Sequence, residues 1–172
     1  MVIRNGNMQN SQNHYVLLLG GNQGEVLTAF DGALMVLAQS GLEIVAKSSV
    51  FKTPAWGMVG DDFLNMAVEV RCSLSPDELL HTVLEIEKQF GRRRNSGMGY
   101  QSRQLDIDII HSYELVYQSN ELCIPHPRLH LRKFALVPVK EISPDWVHPV
   151  LKKTCMELLS ECGDDSKIEK LN

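Results

Sequence analysis

The sequence predicts an α+β fold: a ferredoxin-like βαββαβ antiparallel sheet with helices packed on one face, followed by a C-terminal extension. Three observations carry this reading. Short apolar or alternating runs over 14–20, 42–51, 63–73 and 104–110 read as strands. Helical spacing runs over 25–39 and 75–90, after the first and third of those strands. At 172 residues, 44% hydrophobic and 22% charged, the chain suits one globular domain with a real core.

The first strand, HYVLLLG from His14 to Gly20, is short, apolar and closed by glycines, as a buried strand would be. Gly21-Asn22-Gln23-Gly24 turns the chain, with Asn22 or Gly24 near the helix start. Val26, Phe30, Ala33, Leu34 and Leu37 then recur at helical spacing until Gly41 stops the pattern. In the next strand Ile44, Ala46 and Ser48 alternate against Val45, Lys47 and Ser49. The stretch 53–62 holds Pro54, Gly57 and Gly60 around Trp56 and reads as a loop. Phe63, Asn65, Ala67 and Glu69 then share one face of a third strand, with Leu64, Met66, Val68 and Val70 on the other.

Ser75-Pro76-Asp77-Glu78 opens the second helix: serine as cap, proline in the first turn, Glu78 completing a capping box. Gly91 ends that helix. An arginine-bearing loop leads to the fourth strand. Residues 133–142 read as helical despite Pro138, and 152–162 as a terminal helix. Residues 1–13 form a polar, disordered extension, 14–162 the single domain, and 163–172 a polar tail.

The densest chemistry sits in Gln104-Leu105-Asp106-Ile107-Asp108-Ile109-Ile110. Residues two apart leave a strand on the same face, so both carboxylates point one way while Leu105, Ile107 and Ile109 face the core. A lone Asp-x-Asp is often only a solvated face. Here the apolar partners suggest a central strand, where paired carboxylates repel unless a cation sits between them, and Mg²⁺ favours such oxygen ligands. Just upstream, Arg92, Arg93 and Arg94 share a loop with Gly91, Gly97 and Gly99, and Arg103 stands at the strand's threshold. An arginine run alone is usually solvated surface. Anchored between a helix and a central strand, it suits a lid that brings guanidinium forks to phosphate. Glu87 lies one helical turn before Gly91, placed to orient an arginine or touch substrate.

His126 and His130 have the spacing of a zinc pair on a helix, but Pro125 and Pro127 flank the first and no third ligand is evident. A histidine beside Arg128 and Arg132 is better suited to donate to a phosphate or a leaving oxygen. Phe63 and Phe134 are more often core than ligand platforms. Asn65 shares a strand face with Phe63, and an amide there can read a flat heterocycle. No G-x-x-x-x-G-K-[ST] or G-x-G-x-x-G is present, which excludes a conventional P-loop and disfavours a dinucleotide fold.

The balance of charge is acidic, with a net charge of -4 and a pI near 5.8, which argues against general nucleic-acid binding. The four cysteines form no C-x-x-C pair and read as reduced thiols of a cytoplasmic protein. No apolar run approaches the roughly 20 residues of a membrane helix.

These segments together resemble the 6-hydroxymethyl-7,8-dihydropterin pyrophosphokinases of folate biosynthesis, over about Tyr15 to Val150. The resemblance rests on seven short motifs in order. They are Leu19-Gly20-Gly21-Asn22, Ser48-Ser49-Val50-Phe51-Lys52-Thr53-Pro54, Phe63-Leu64-Asn65-Met66-Ala67-Val68, and Ile86-Glu87 through Gly91-Arg92-Arg93-Arg94. Arg103-Gln104-Leu105-Asp106-Ile107-Asp108-Ile109, Pro125-His126-Pro127-Arg128-Leu129 and Arg132-Lys133-Phe134-Ala135-Leu136-Val137-Pro138 complete the series.

The resemblance implies a 2-amino-4-hydroxy-6-hydroxymethyldihydropteridine diphosphokinase. Such an enzyme moves the β,γ-diphosphate of ATP, its co-substrate, to the pterin hydroxymethyl group and releases AMP. It implies that Asp106 and Asp108 hold two Mg²⁺. Arg92, Arg94, Arg103, His126 and Arg132 would contact phosphates, Glu87 and Tyr100 would border ATP, and backbone at Ile109 would touch adenine. The pterin would stack between Phe63 and Phe134, its edge read by Thr53, Pro54, Trp56 and Asn65. The catalytic set implied is Arg92, Arg94, Asp106, Asp108 and His126.

Three positions depart from the familiar pattern. Gly20-Gly21-Asn22 stands for Gly-Ser-Asn, the loop from 91 to 103 is one residue longer, and Tyr100-Gln101-Ser102-Arg103 replaces aromatic-Gly-Pro-Arg. A monomer with small-molecule substrates is expected. The rivals are a ferredoxin-like RNA-binding module without catalysis and a magnesium-dependent phosphohydrolase. The first predicts basic and aromatic strand faces, which FLNMAVEVRCS over 63–73 does not supply.

Overall fold

The computed structural model of the chain describes residues 2–4, 12–54, 61–91 and 103–171, and most elements lie where the patterning puts them. After β1 (Val2–Arg4) come β2 (Asn13–Gly21), α1 (Val26–Gln39), β3 (Glu43–Lys47) and β4 (Phe51–Thr53). Then follow β5 (Phe63–Cys72), α2 (Pro76–Gln89), β6 (Asp106–Ser112), β7 (Leu115–Gln118) and β8 (Cys123–Ile124). A short 3₁₀ turn, α3 (Lys133–Ile142), α4 (Cys155–Glu161) and β9 (Glu169–Lys170) complete the described chain.

Among the described residues, the main sheet runs β6-β2-β5-β4-β9, with β3 also on β5. Its pairings are antiparallel throughout. The first and last strands of the βαββαβ unit, β2 and β6, are therefore neighbours, which is the ferredoxin-like arrangement. A smaller sheet, β1-β7-β8, stands apart. No helix among the described residues is long and apolar enough to cross a membrane.

The strand expected over 42–51 is interrupted. A bulge between Ile44 and Ala46 shifts the β3–β5 register, and residues 48–50 leave the ladder. Side chains supply the physical reason. Ser48 Oγ accepts the Ala67 N–H at 2.9 Å, and the Ser49 N–H donates to Glu141 at 2.6 Å, so these groups are satisfied outside a continuous strand.

Alternation sorts the sheet into two faces. Tyr15, Leu17 and Leu19 of β2, with Val68 and Val70 of β5 and Ile107 and Ile109 of β6, pack under α1 and α2. Leu17 and Leu19 are fully buried, worth about 2 kcal/mol each by transfer of apolar area. The predicted capping box is present, with Ser75 Oγ accepting from Glu78 N and the Glu78 carboxylate accepting from Ser75 N. The other face is covered by the C-terminal extension. Val16, Leu18, Ala67 and Ile110 lie under Leu136, Val139, Trp146 and Leu158.

That second layer covers only part of its face. Further along the same strands, Gly20, Asn65, Asp106 and Asp108 continue the row beyond its edge and line an open recess. The position of the site follows from this step in the layering.

Candidate active site

Each side chain of the recess is set by strand period. Gly20 pairs with Asn65 on one side and Asp106 on the other, so amide and carboxylate stand on the two strands flanking β2 with no side chain between them. Asp106 and Asp108 leave β6 on this face together, as the spacing requires. Among the described residues β6 is an edge strand and not the central one expected, its apolar side chains being buried by the helices. Phe63 and Phe134, both half-buried, wall the cavity of about 210 Å³ together with Thr53 and Pro54. Asn65 is 3% exposed and its amide donates to Thr53 Oγ1 at 3.1 Å, which fixes the orientation of its carbonyl.

Cations border the carboxylates. Arg103 Nη1 lies 2.7 Å from Asp106 Oδ2, and Arg132 Nη1 lies 3.5 Å from Asp108 Oδ2. Arg103 is itself held by main chain: its N–H donates to Asn22 Oδ1 at 2.9 Å, and its carbonyl accepts from Asn22 N at 2.8 Å and Gln23 N at 3.1 Å. Gly21 permits this closeness, since a Cβ there would stand 2.5 Å from the Gln104 carbonyl oxygen. Gly21, where the resemblance leads one to expect serine, thus sits at a backbone contact. Arg132 also rests over the Phe134 ring, 5.6 Å from its centroid.

His126 lies beyond Asp108. Burial and the nearby Arg132 and Arg128 guanidinium groups push its pKa down to about 4, so the ring is neutral at physiological pH. Its Nδ1 accepts the Arg128 N–H at 3.1 Å, and its Nε2 lies 3.5 Å from Arg132 Nη1. A second recess of about 360 Å³ opens on this side, with Leu80, Leu84, Ile109 and Leu122 as apolar lining and His126 and Asp108 among its polar lining. Asp108 borders both recesses. They meet at Asp108.

The structure brings together Thr53, Pro54, Phe63, Asn65, Arg103, Asp106, Asp108, Arg132 and Phe134, all nominated from sequence. Glu87, expected to orient an arginine or border ATP, is 1% exposed and accepts the Ile107 N–H at 2.7 Å. Trp56, Arg92, Arg94 and Tyr100 lie outside the described residues. Leu80, Leu84 and Leu122 were not nominated. Their only sequence signal is helical or strand apolarity, which cannot tell a recess wall from core. Among the described residues no group of three His, Cys, Asp or Glu side chains is arranged to hold a metal. His126 and His130 therefore form no zinc site there. Two carboxylates facing an open recess suit hard cations that draw their remaining ligands from a polyphosphate, so the residues present fit magnesium in that role.

Comparison with known proteins decides the family. The family model described as 7,8-dihydro-6-hydroxymethylpterin-pyrophosphokinase (HPPK) matches residues 16–144. The chain belongs to the HPPK family. A 2-amino-4-hydroxy-6-hydroxymethyldihydropteridine pyrophosphokinase of Synechocystis sp. is 43% identical over 147 residues, covering 85% of this chain and 74% of that one. Enzymes of the same name from Methylorubrum extorquens and Aquifex aeolicus are 39% and 35% identical. They cover 89% and 83% of this chain and 95% and 88% of their own lengths. Solved structures share the fold at low identity. An HPPK-DHPS in complex with substrates superposes with a TM-score of 0.67 at 14% identity, covering 88% of this chain and 43% of that one. Plasmodium falciparum HPPK-DHPS gives 0.66 at 16%, covering 87% and 43%. The HPPK chain described here thus spans less than half the length of those two-part proteins.

Proposed function

We propose that this HPPK transfers the β,γ-diphosphate of ATP to the hydroxymethyl group of 6-hydroxymethyl-7,8-dihydropterin, releasing AMP. The observation that carries this reading is two recesses sharing Asp108: one bounded by aromatic rings and an oriented amide, the other lined by leucines and isoleucines with a neutral histidine beside them. A flat heterocycle suits the first and a nucleotide base the second, so the two substrates would meet across the carboxylates.

In this reading the pterin stacks between Phe63 and Phe134, and Asn65, Thr53, Pro54 and Trp56 read its edge. The triphosphate lies across Arg92, Arg94, Arg103, His126 and Arg132, with Tyr100 and the backbone at Ile109 bordering the nucleotide. Asp106 and Asp108 would hold two Mg²⁺, which when bound neutralise charge on the polyphosphate. The pterin hydroxyl attacks the β-phosphorus in line and gives its proton to solvent, while the bond from the β-phosphorus to the bridging α-phosphate oxygen breaks and AMP leaves with that oxygen. His126, kept neutral by burial and the neighbouring arginines, borders that leaving oxygen as a hydrogen-bonding partner and transfers no proton to it. The arginines stabilise the charge that shifts to the bridging oxygen. Residues 14–162 would form one catalytic domain that acts as a monomer in the cytoplasm and needs no nucleic-acid partner, since both recesses belong to one chain.

The test is product identity. Incubation with ATP, Mg²⁺ and 6-hydroxymethyl-7,8-dihydropterin should yield AMP only when the pterin is present. ADP, or phosphate released without pterin, would refute the reading.

A further inference from the structure

The last ten residues read as a polar tail, yet the tail is fastened at both ends. Asp164 Oδ2 accepts the Lys133 N–H at 3.1 Å, and Ser166 carbonyl oxygen accepts from Lys133 Nζ at 2.9 Å. Five residues on, β9 pairs with β4 through Phe51↔Lys170 and Lys52↔Glu169, and Leu171 N–H donates to the Val50 carbonyl at 2.9 Å. Lys170 Nζ reaches Glu141 at 2.7 Å, the same carboxylate that holds Ser49. Between these anchors Asp164, Ser166 and Ile168 turn inward while Asp165 and Lys167 face solvent.

Both anchors sit directly behind the candidate pterin pocket. Lys133 begins α3 and precedes Phe134, which forms one wall. Strand β4 ends at Thr53, which with Pro54 forms another. The start of α3 also lacks a local cap: Arg132 occupies the N-cap position and its side chain makes no capping bond. An uncapped helix start leaves donors that some other group must satisfy. Asp164 supplies that acceptor from 31 residues away in sequence. Burial works against the Asp164 carboxylate, but hydrogen bonds from Ser166 and Lys133 outweigh it and hold the carboxyl below its usual range.

We infer that the C-terminal strap is a specificity-positioning element: Asp164 caps α3 in place of a local residue, and together with β9 it sets the spacing between Phe134 and Thr53 that grips the pterin. Asp164 is a positioning residue, touching no substrate itself. This inference rests on the pterin assignment above.

The test uses the full chain with Asp164→Ala, Asp164→Asn and a variant ending after Gly163. The loss of one cap should raise the KM for the pterin about fivefold in Asp164→Ala. The KM for ATP and kcat at saturating substrates should stay within about twofold. Asparagine keeps one acceptor oxygen and should recover most of the affinity. The shortened chain, which loses both anchors, should lose more than Asp164→Ala. Melting temperature is followed in parallel. A merely structural tail would lower stability and the active fraction, seen in kcat, while leaving the pterin KM unchanged, and that result overturns the inference. An equal rise in both KM values, or no recovery with asparagine, overturns it as well. Wild-type protein that binds ATP but no pterin, by titration of pterin fluorescence, brings down the functional reading and the inference with it.

Discussion

His111 offers a clean electrostatic prediction, because burial outweighs the Ser112 backbone, the one neighbouring group among the described residues that favours its charged form. The bulge of β6 opposite Val16 turns both Ile110 and His111 toward the C-terminal layer. There His111 is fully buried, stacked on Trp146 with ring centroids 4.0 Å apart and an interplanar angle of 16°. The edge contact with Tyr113 closes another side. Among the described residues neither ring nitrogen has a hydrogen-bond partner. Burial, with the nearby His148 adding to it, pushes the His111 pKa down to about 3.

The linkage sign follows directly. The unfolded chain takes up a proton near pH 6.5, whereas the folded chain resists until pH falls toward 3. Stability therefore declines as pH drops below 6.5, by at most about 1.4 kcal/mol per pH unit for this one site. From pH 6.5 to 5.0 the loss attributable to His111 is about 2 kcal/mol. The assay is urea unfolding of wild type and His111→Phe at pH 7.5, 6.5, 5.5 and 5.0. Phenylalanine keeps the aromatic stack, and any cost of its larger ring enters equally at every pH, so the comparison is of slopes. The wild-type slope below pH 6.5 should exceed that of the variant by about one proton. His126 and His148, whose pKa values burial also lowers, keep a residual slope in both proteins. Equal slopes would refute the reasoning.

The remaining predictions concern the site and its scaffold. Asp108→Ala should reduce turnover by at least about 100-fold with little change in melting temperature, and near-normal turnover at saturating Mg²⁺ would refute its metal role. Asn65→Ala should raise the pterin KM by about 30-fold, the loss of about 2 kcal/mol in a buried polar contact, while ATP affinity holds; calorimetric titration with each substrate separates the two. Arg94→Ala should lower kcat far more than it weakens pterin binding, and lost pterin affinity with normal kcat would contradict its place on ATP. Ser75→Ala removes one half of the capping box and should cost about 1 kcal/mol in urea unfolding with activity unchanged.

Periodicity made much of this legible. A strand has only two faces, so Asp106 and Asp108 must emerge together, and Asn65 must share a side with Phe63. The Ser75-Pro76-Asp77-Glu78 signal is equally local, since a capping box is closed within four residues. Roles carried by apolar side chains were not legible, because Leu84 in a recess and Leu79 in the core obey the same spacing. The tail did carry a signal, the alternation Asp164, Ser166, Ile168, but a short, mostly polar segment shows no partner until the chain has folded.

Local rules within the sequence determined which side chains share a face and where helices start, because those depend on neighbours a few positions apart. Only tertiary structure decided how far the C-terminal layer reaches over the sheet, and so which part of one face stays open as the site. It also decided that His126 is neutral and that Asp164 serves a helix 31 residues distant. Burial and charge proximity are sums over groups that the chain brings together from remote positions, and no short window of sequence contains them.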